Sequence, residues 1–308
     1  MRKSRINLIL WLVVLSVVTS PLAGEKISFK ISYNTASINK GDLNTWIDSY
    51  NTFWNDWQEY SNGQLEGQFN TLKYGPKYEV ELRIPLFAGV AFNLCGSHFS
   101  TAEEGSVSFV HGALFQTEKN FRRNEIRGIP IKIGLSYSLA LPFSEKFYLF
   151  AGVGRHITFL KYKFVGDYEL KIGESMIYTL QRDYTYNSEA LGFYATFGAE
   201  YDLIRHIAIV VEAEKVWSKA AGFKGPYHSD FFDPFENSRV VEEGKASLYF
   251  YEYKPYWNDT YYYSLEGNKI RPKDPEDYPI GIEDIRNIRQ GEFDLGTFSF
   301  KIGIRFKF

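Results

Sequence analysis

Only one cysteine, Cys95, occurs in 308 residues. No disulfide forms within such a chain, and no paired-cysteine metal site or CxxC redox motif is possible. Histidine is scarce as well: His98, His111, His156, His206 and His228. No recognisable nucleophile motif accompanies any of them, so the chain is expected not to be an enzyme. Charge of one sign is missing too. The 35 basic and 37 acidic residues leave a formal net charge of −2, which offers nucleic acid no basic footprint. Beyond residue 18 there is no long apolar run, and hence no candidate helical span. Aromatics are what the chain has in quantity. They make up 18% of it, with 23 Tyr and 26 Phe, yet the mean hydropathy is slightly polar at −0.28.

Alternation reconciles those two numbers. From Phe298 to Phe308 every second residue is large and apolar: Phe298, Phe300, Ile302, Ile304, Phe306 and Phe308. Ser299, Lys301, Gly303, Arg305 and Lys307 stand between them. Strict period-two alternation is a β-strand with one apolar and one polar face. An exposed soluble edge of this kind would aggregate, so the apolar face must meet lipid or a second sheet. The start of the chain favours lipid. Arg2, Lys3 and Arg5 precede an apolar stretch from Ile6 to Val18 broken only by Asn7 and Ser16. This reads as a cleaved secretory signal peptide over 1–24, with the mature domain at 25–308.

The same alternation predicts seven more strands. They run from Lys26 to Asn34, from Tyr78 to Leu86, from near Gly89 through Leu94, and from Gly128 to Leu139. Others run from Phe147 to Phe164, from Glu189 to Asp202, and from Ile207 to about Trp217. Short connections at 86–89, 140–146 and 203–206 alternate with long ones at 34–77, 100–127, 165–187 and 221–290. Short turns on one rim and long loops on the other, with aromatic girdles between, form the outer-membrane pattern. The expected fold class is all-β: an antiparallel transmembrane β-barrel of eight strands, with a short helix in the first loop.

At this point the chain resembles the small eight-stranded outer-membrane barrels of the OmpA/OmpX/OmpW-like superfamily. The signal peptide, FYLFAGVG, GFYATFGAEYDL and the terminal FKIGIRFKF carry the likeness. It implies insertion by the barrel-assembly machinery, with Phe306 and Phe308 as the assembly signal, in the outer membrane of a Gram-negative-type bacterium. Activity varies across that family, so the fold does not imply a function.

Inward positions read as Lys30, Glu79, Glu81, Arg83, Lys132, His156, Glu200, Glu212, Glu214, Lys301 and Arg305. Lys30 faces Glu79 and Glu81 on the next strand, and Glu212 and Glu214 face Lys301 and Arg305. An eight-stranded barrel is just wide enough for side chains to fill. The expectation is a lumen closed by charge pairs; the alternative is a narrow porin-like channel for small solutes or ions. A second alternative is a secreted soluble β-barrel binding a hydrophobic ligand. It requires the apolar face of 298–308 to point inward.

In the first long connection Trp46, Tyr50, Phe53, Trp57 and Tyr60 recur at three- and four-residue spacing and make one aromatic stripe on a helix. The last connection holds SLYFYEYKPYWNDTYYYS at 247–264. Tyr and Trp give rigid contact area and suit glycan or protein recognition. Candidate binding residues are therefore Trp46, Trp54, Trp57, Tyr253, Tyr256, Trp257, Tyr261 and Tyr262. Asp274, Glu276, Asp277, Glu283 and Asp284 lack the ligand spacing of a Ca²⁺ loop, so no metal and no cofactor is expected. Outer-membrane lipid is the expected partner of a monomer, with structural or surface binding as its role.

Overall fold

The computed structural model describes residues 27–36, 42–73, 75–87, 89–111, 116–142, 144–255, 262–266, 269–273 and 283–308, by backbone alone at 35–36, 42, 60–61 and 251–288. The expected signal segment 1–24 lies outside these residues. So do Tyr256, Trp257, Tyr261, Asp274, Glu276 and Asp277.

Among the described residues one helix and sixteen strands follow in order. They are β1 (Ser28–Ala36), α1 (Asp42–Ser61), β2 (Gln64–Gln68), β3 (Gly75–Phe87), β4 (Val90–Val110) and β5 (Gln116–Leu141). Next come β6 (Ser144–Ile172), β7 (Ser175–Ile204), β8 (Ile207–Ala220), β9 (Lys224–Asp233) and β10 (Ser238–Ser247). The chain continues through β11 (Tyr249–Pro255), β12 (Tyr262–Glu266), β13 (Lys269–Lys273), β14 (Glu283–Gln290), β15 (Phe293–Asp294) and β16 (Phe298–Lys307).

Eight strands pair in an antiparallel ring. From β7 the order runs through β6, β5, β4, β3, β1, β16 and β8, and β8 pairs β7 again. The pleat sends alternate side chains to opposite faces. On β16, Phe298, Phe300 and Ile302 are 59%, 71% and 60% exposed on the outside, while Lys301 and Arg305 are 3% and 1% exposed inside. Neighbouring strands continue the outer face with Ile31, Val80, Ile133, Leu135, Val153, Phe193, Phe197 and Val211, all exposed. This orientation contradicts the soluble-barrel alternative, which needed the opposite facing.

Above the ring the wall is built differently. β4 to β7 are 21, 26, 29 and 30 residues long, whereas β1 ends at Ala36 and β16 begins only at Phe298. β2 pairs β4 at Gln64↔Val110 to Gln68↔Ser106. β9 takes over from β8 along β7, at Lys224↔Asn187 to Phe232↔Thr179. Among the described residues the upper wall is therefore an arc from β2 to β10 whose two ends do not pair. The expected loops at 100–127 and 165–187 are corrected accordingly. They are the upper halves of paired strands: β4 runs to Val110, β5 starts at Gln116, and β6 and β7 join at Gly173–Glu174. Inside this region Gly128 leaves room for Phe99; a Cβ there would lie 2.3 Å from its ring.

The expected short helix in the first loop is also corrected. α1 is 20 residues long and belongs to the hydrophobic core. Leu43, Trp46, Ile47, Tyr50, Phe53 and Trp54 are buried on one face, while Thr45, Asp48, Thr52 and Asn55 are exposed on the other. The buried face packs with Phe69, Phe99, Phe109, Ile126, Phe164, Phe250 and Phe293. Each fully buried side chain of this size contributes about 1.5–3 kcal/mol. Paired amide bonds fasten the chain after β2 to the helix. Asn51 donates to the Phe69 carbonyl at 2.8 Å and accepts from its N–H at 2.9 Å. Asn44 does the same with Leu72 at 3.2 and 3.0 Å.

Candidate functional site

Inside the ring, register brings opposite charges level. Lys30 stands opposite Glu81 on β3 and Arg305 on β16, and Lys301 stands opposite Glu212 on β8. The ammonium of Lys30 meets Glu81 at 2.8 Å and Glu212 at 2.5 Å. Lys132 bridges Glu79 and Glu214, each at 2.5 Å. Lys301 reaches Glu79 at 2.9 Å, Glu212 at 3.3 Å and Glu214 at 2.6 Å. Arg305 donates to Glu81 at 2.8 Å and also pairs with Glu200. Arg83 lies 3.7 Å from Glu200 and donates to Ser136 at 3.0 Å and Ser138 at 2.5 Å.

All ten inward lysines, arginines and glutamates named from the sequence lie in this one lattice. Two pairings differ from the expected ones. Arg305 turns to Glu81 and Glu200 rather than to Glu212 and Glu214, and Lys30 spans the lumen to Glu212. Sequence reasoning missed Lys77, which lies 3.9 Å from Glu79 and 3.7 Å from Glu214. Extending the second strand by one residue in the same phase as Glu79 and Glu81 would have placed it inward. Cys95 was also missed as a lumen residue; its thiol donates to Glu81 at 3.5 Å.

Burying charges is costly unless geometry and hydrogen bonds satisfy them. Each of these carboxylates meets at least two cations, so the lattice meets that condition. Oxygens of Glu79, Glu212 and Glu214 lie within 4.8 Å of one another, and the ammonium of Lys301 already sits against all three. Below, Glu81, Arg83, Cys95, Tyr194 and Arg305 help line a cavity with room for about one water molecule. Above, Thr158 Oγ1 lies 3.2 Å from His156 Nε2. Both are buried.

The aromatic candidates fall elsewhere than expected. Trp46 and Trp54 are core residues, 8% and 3% exposed, and Trp57 is half-buried against Phe109 and His111. They are corrected from binding surface to helix packing, because the stripe that makes the helix amphipathic is the stripe it buries. Tyr253 lies on β11, opposite Ile285, and Tyr262 on β12, opposite Lys273. Sequence reasoning also missed Arg122, which is buried with its guanidinium 3.5 Å from the Tyr50 ring centroid and 4.8 Å from that of Trp46. Asn120 donates to the Tyr50 hydroxyl at 3.0 Å beside it.

Fold and site together define an antiparallel β-ring with an apolar exterior, a lumen crossed by paired charges, and a helix set in its mouth. No protein-family model matches the chain, and no curated protein matches it. Among solved structures it is similar to the outer membrane protein OprG from Pseudomonas aeruginosa, at 13% identity and a TM-score of 0.36, covering 92% of this chain and 98% of that one. It is similar to a major outer membrane protein from Thermus thermophilus at 8% identity and a TM-score of 0.32, covering 92% and 99%. A third similarity is to the outer membrane protease OmpT from Escherichia coli, at 10% identity and a TM-score of 0.22, covering 92% and 94%. Likeness at these values extends to no residue role or activity.

Proposed function

We propose that this protein is an integral outer-membrane β-barrel whose lumen is sealed and whose work is done by the wall above the membrane, as a structural or surface-binding protein. The lattice carries the reading: Lys30, Lys132, Lys301 and Arg305 tie carboxylates from three strands across the lumen, and α1 covers them. The membrane part rests on the outward apolar face. A strand such as β16, 10 residues long, rises about 3.3 Å per residue and on a tilted path matches an apolar band about 25 Å tall. Outer-membrane lipid and the barrel-assembly machinery are its partners in this reading. Membership of the OmpA/OmpX/OmpW-like superfamily, export through a cleaved signal peptide and the monomeric state are parts of the same proposal. The absence of catalysis belongs to the same reading, which the burial of the Thr158–His156 pair supports.

Planar-bilayer recording tests the seal. A flat baseline is expected; large, steady, nanosiemens-scale conductance overturns it. Small ion-selective events that change in Glu212→Gln would favour the narrow-channel reading, which the water-sized cavity below the lattice supports. Membrane insertion is tested separately, by heat-modifiable migration on gels and by extraction. A chain that stays soluble after lysis without detergent overturns the membrane reading.

A further inference from the structure

Charges that stand directly opposite on the outer face of the wall are matched in sign, with one exception among the described residues. Glu125 stands opposite Lys163 and Lys119 opposite Glu169 on the β5–β6 seam, and Arg123 stands opposite Glu104 on β4. Arg127 stands opposite Lys161, and both are exposed. Directly opposite residues of an antiparallel pair share a face, and like charges there are destabilising. Inside the ring one such pair also occurs, Lys30 opposite Arg305, and the Glu81 carboxylate bridges it at 2.8 Å to each. Outside, no carboxylate bridges the pair. Arg127 gives its Nε to Glu125, a carboxylate that also lies 3.8 Å from Arg123. Glu189 stands opposite Phe159, diagonal to Lys161, yet Lys161 makes no ion pair among the described residues.

We propose that the outer face of β5 and β6 holds a phosphate-bearing lipid of the outer leaflet, with its phosphate between Arg127 and Lys161 and an acyl chain along Ile129, Ile131, Ile157 and Phe159. Height supplies the first argument. Every second residue of β5 from Ile129 to Leu139 is apolar and faces outward, and Arg127 is the next outward residue above them. That stretch, at about 3.3 Å per residue and tilted about 40°, rises about 25 Å, the height of the apolar band of an outer-membrane barrel. Arg127 and Lys161 therefore stand where the acyl chains end and the headgroups begin.

Charge supplies the second. An anion set between the two cations does for them what Glu81 does for Lys30 and Arg305. Phosphate suits the pair, because the fork of an arginine meets its oxygens in parallel and a lysine adds a point charge. The other outward columns do not end this way. On β7 the first charge above Leu191 is Glu189, and on β8 the first above Trp217 is Lys219, which already meets Glu292 at 2.8 Å. The β5–β6 seam alone joins two facing cations to exposed apolar side chains directly beneath them, Ile129 and Phe159.

The proposal rests on the membrane reading above, and its test uses protein already shown to be heat-modifiable, which keeps the two readings apart. The barrel in detergent is titrated with phosphatidic acid, with diacylglycerol of the same chains, and with inorganic phosphate, and native mass spectrometry reads the bound fraction. Wild type is expected to hold phosphatidic acid about tenfold or more tightly than diacylglycerol, the effect of one hydrogen bond to a charged group. Lys161→Gln is expected to lose that preference and Lys161→Arg to keep it. Equal retention of the two lipids by wild type overturns the proposal, and so does a preference that survives in Lys161→Gln combined with Arg127→Gln. Inorganic phosphate that displaces the lipid at matched concentration overturns it too, since the site then reads the free anion. Unfolding midpoints in vesicles add a sign. In phosphatidylcholine alone Lys161→Gln is expected at or above wild type, because a like-charge contact is gone; added phosphatidic acid is expected to raise wild type and not the variant. A variant that already falls below wild type in phosphatidylcholine alone shows a purely structural lysine and overturns the proposal.

Discussion

At the scale of the residue, the outward and inward positions of one strand answer to different solvents. Ile302 faces out and Lys301 faces in, one peptide apart. Ile302→Arg is expected to destabilise the folded barrel in lipid by about 2–4 kcal/mol if the site lies at midplane, read by denaturant unfolding in vesicles. Lys301→Met removes the cation shared by Glu79, Glu212 and Glu214. The loss should be about 3–5 kcal/mol, the cost of leaving a buried charge uncompensated, and Lys301→Met with Glu212→Gln should recover part of it. Unfolding midpoints of the single and double variants check this. Ten of the lattice charges were legible because alternation assigns a face to every residue once a strand is recognised. Which carboxylate each cation meets was not legible, because that depends on strands brought together across the lumen.

Elements show where that logic stops. Alternation identified the lower parts of β4 to β7, where one face is apolar and the other polar. It lost their upper parts, where both faces carry polar and aromatic residues and the contrast disappears. Tyr168, high on β6, belongs to this region. It donates to Glu118 at 2.6 Å and stacks on Tyr178 at 5.4 Å. Burial, and then the Glu118 carboxylate, push its hydroxyl above the ordinary value of 10.0. Its stabilising contribution is whole below pH 10. It falls as the pH rises further, because the unfolded chain ionises there and the folded one does not. The alkaline loss should approach about 1.4 kcal/mol per pH unit for one proton. Hydrogen exchange across the β6–β7 extension should show it, with the slope reduced in Tyr168→Phe. For α1, Trp54→Ala should cost about 3–5 kcal/mol as a large core truncation. Loosening of the helix should appear as protease cleavage within 42–61, with the ring still heat-modifiable.

The whole molecule is two structures in series: a ring with its polar residues inside, and an arc above it with a conventional hydrophobic core. The ring buries charge because its outer face is apolar. The arc buries aromatics because water is available outside it. Together they place two barriers in one path, so removing either alone should leave conductance low. Glu79→Gln with α1 intact is expected to keep a flat baseline in planar-bilayer recording. Sustained current from that single change would count against the second barrier.

The sequence by itself determined the strand class, the facing of β16 and the charges of the lumen, because a period of two is local and needs no partner to be read. Only the tertiary structure decided that the aromatic stripe of α1 is core. The periodicity of an amphipathic helix says that one face will be covered but not by what. It alone decided that the wall opens into an arc ending at β10, because that depends on β1 and β16 being short where β4 to β7 are long. Strand length beyond the apolar belt is set by pairing, and pairing is a relation between distant segments that no single stretch of chain records.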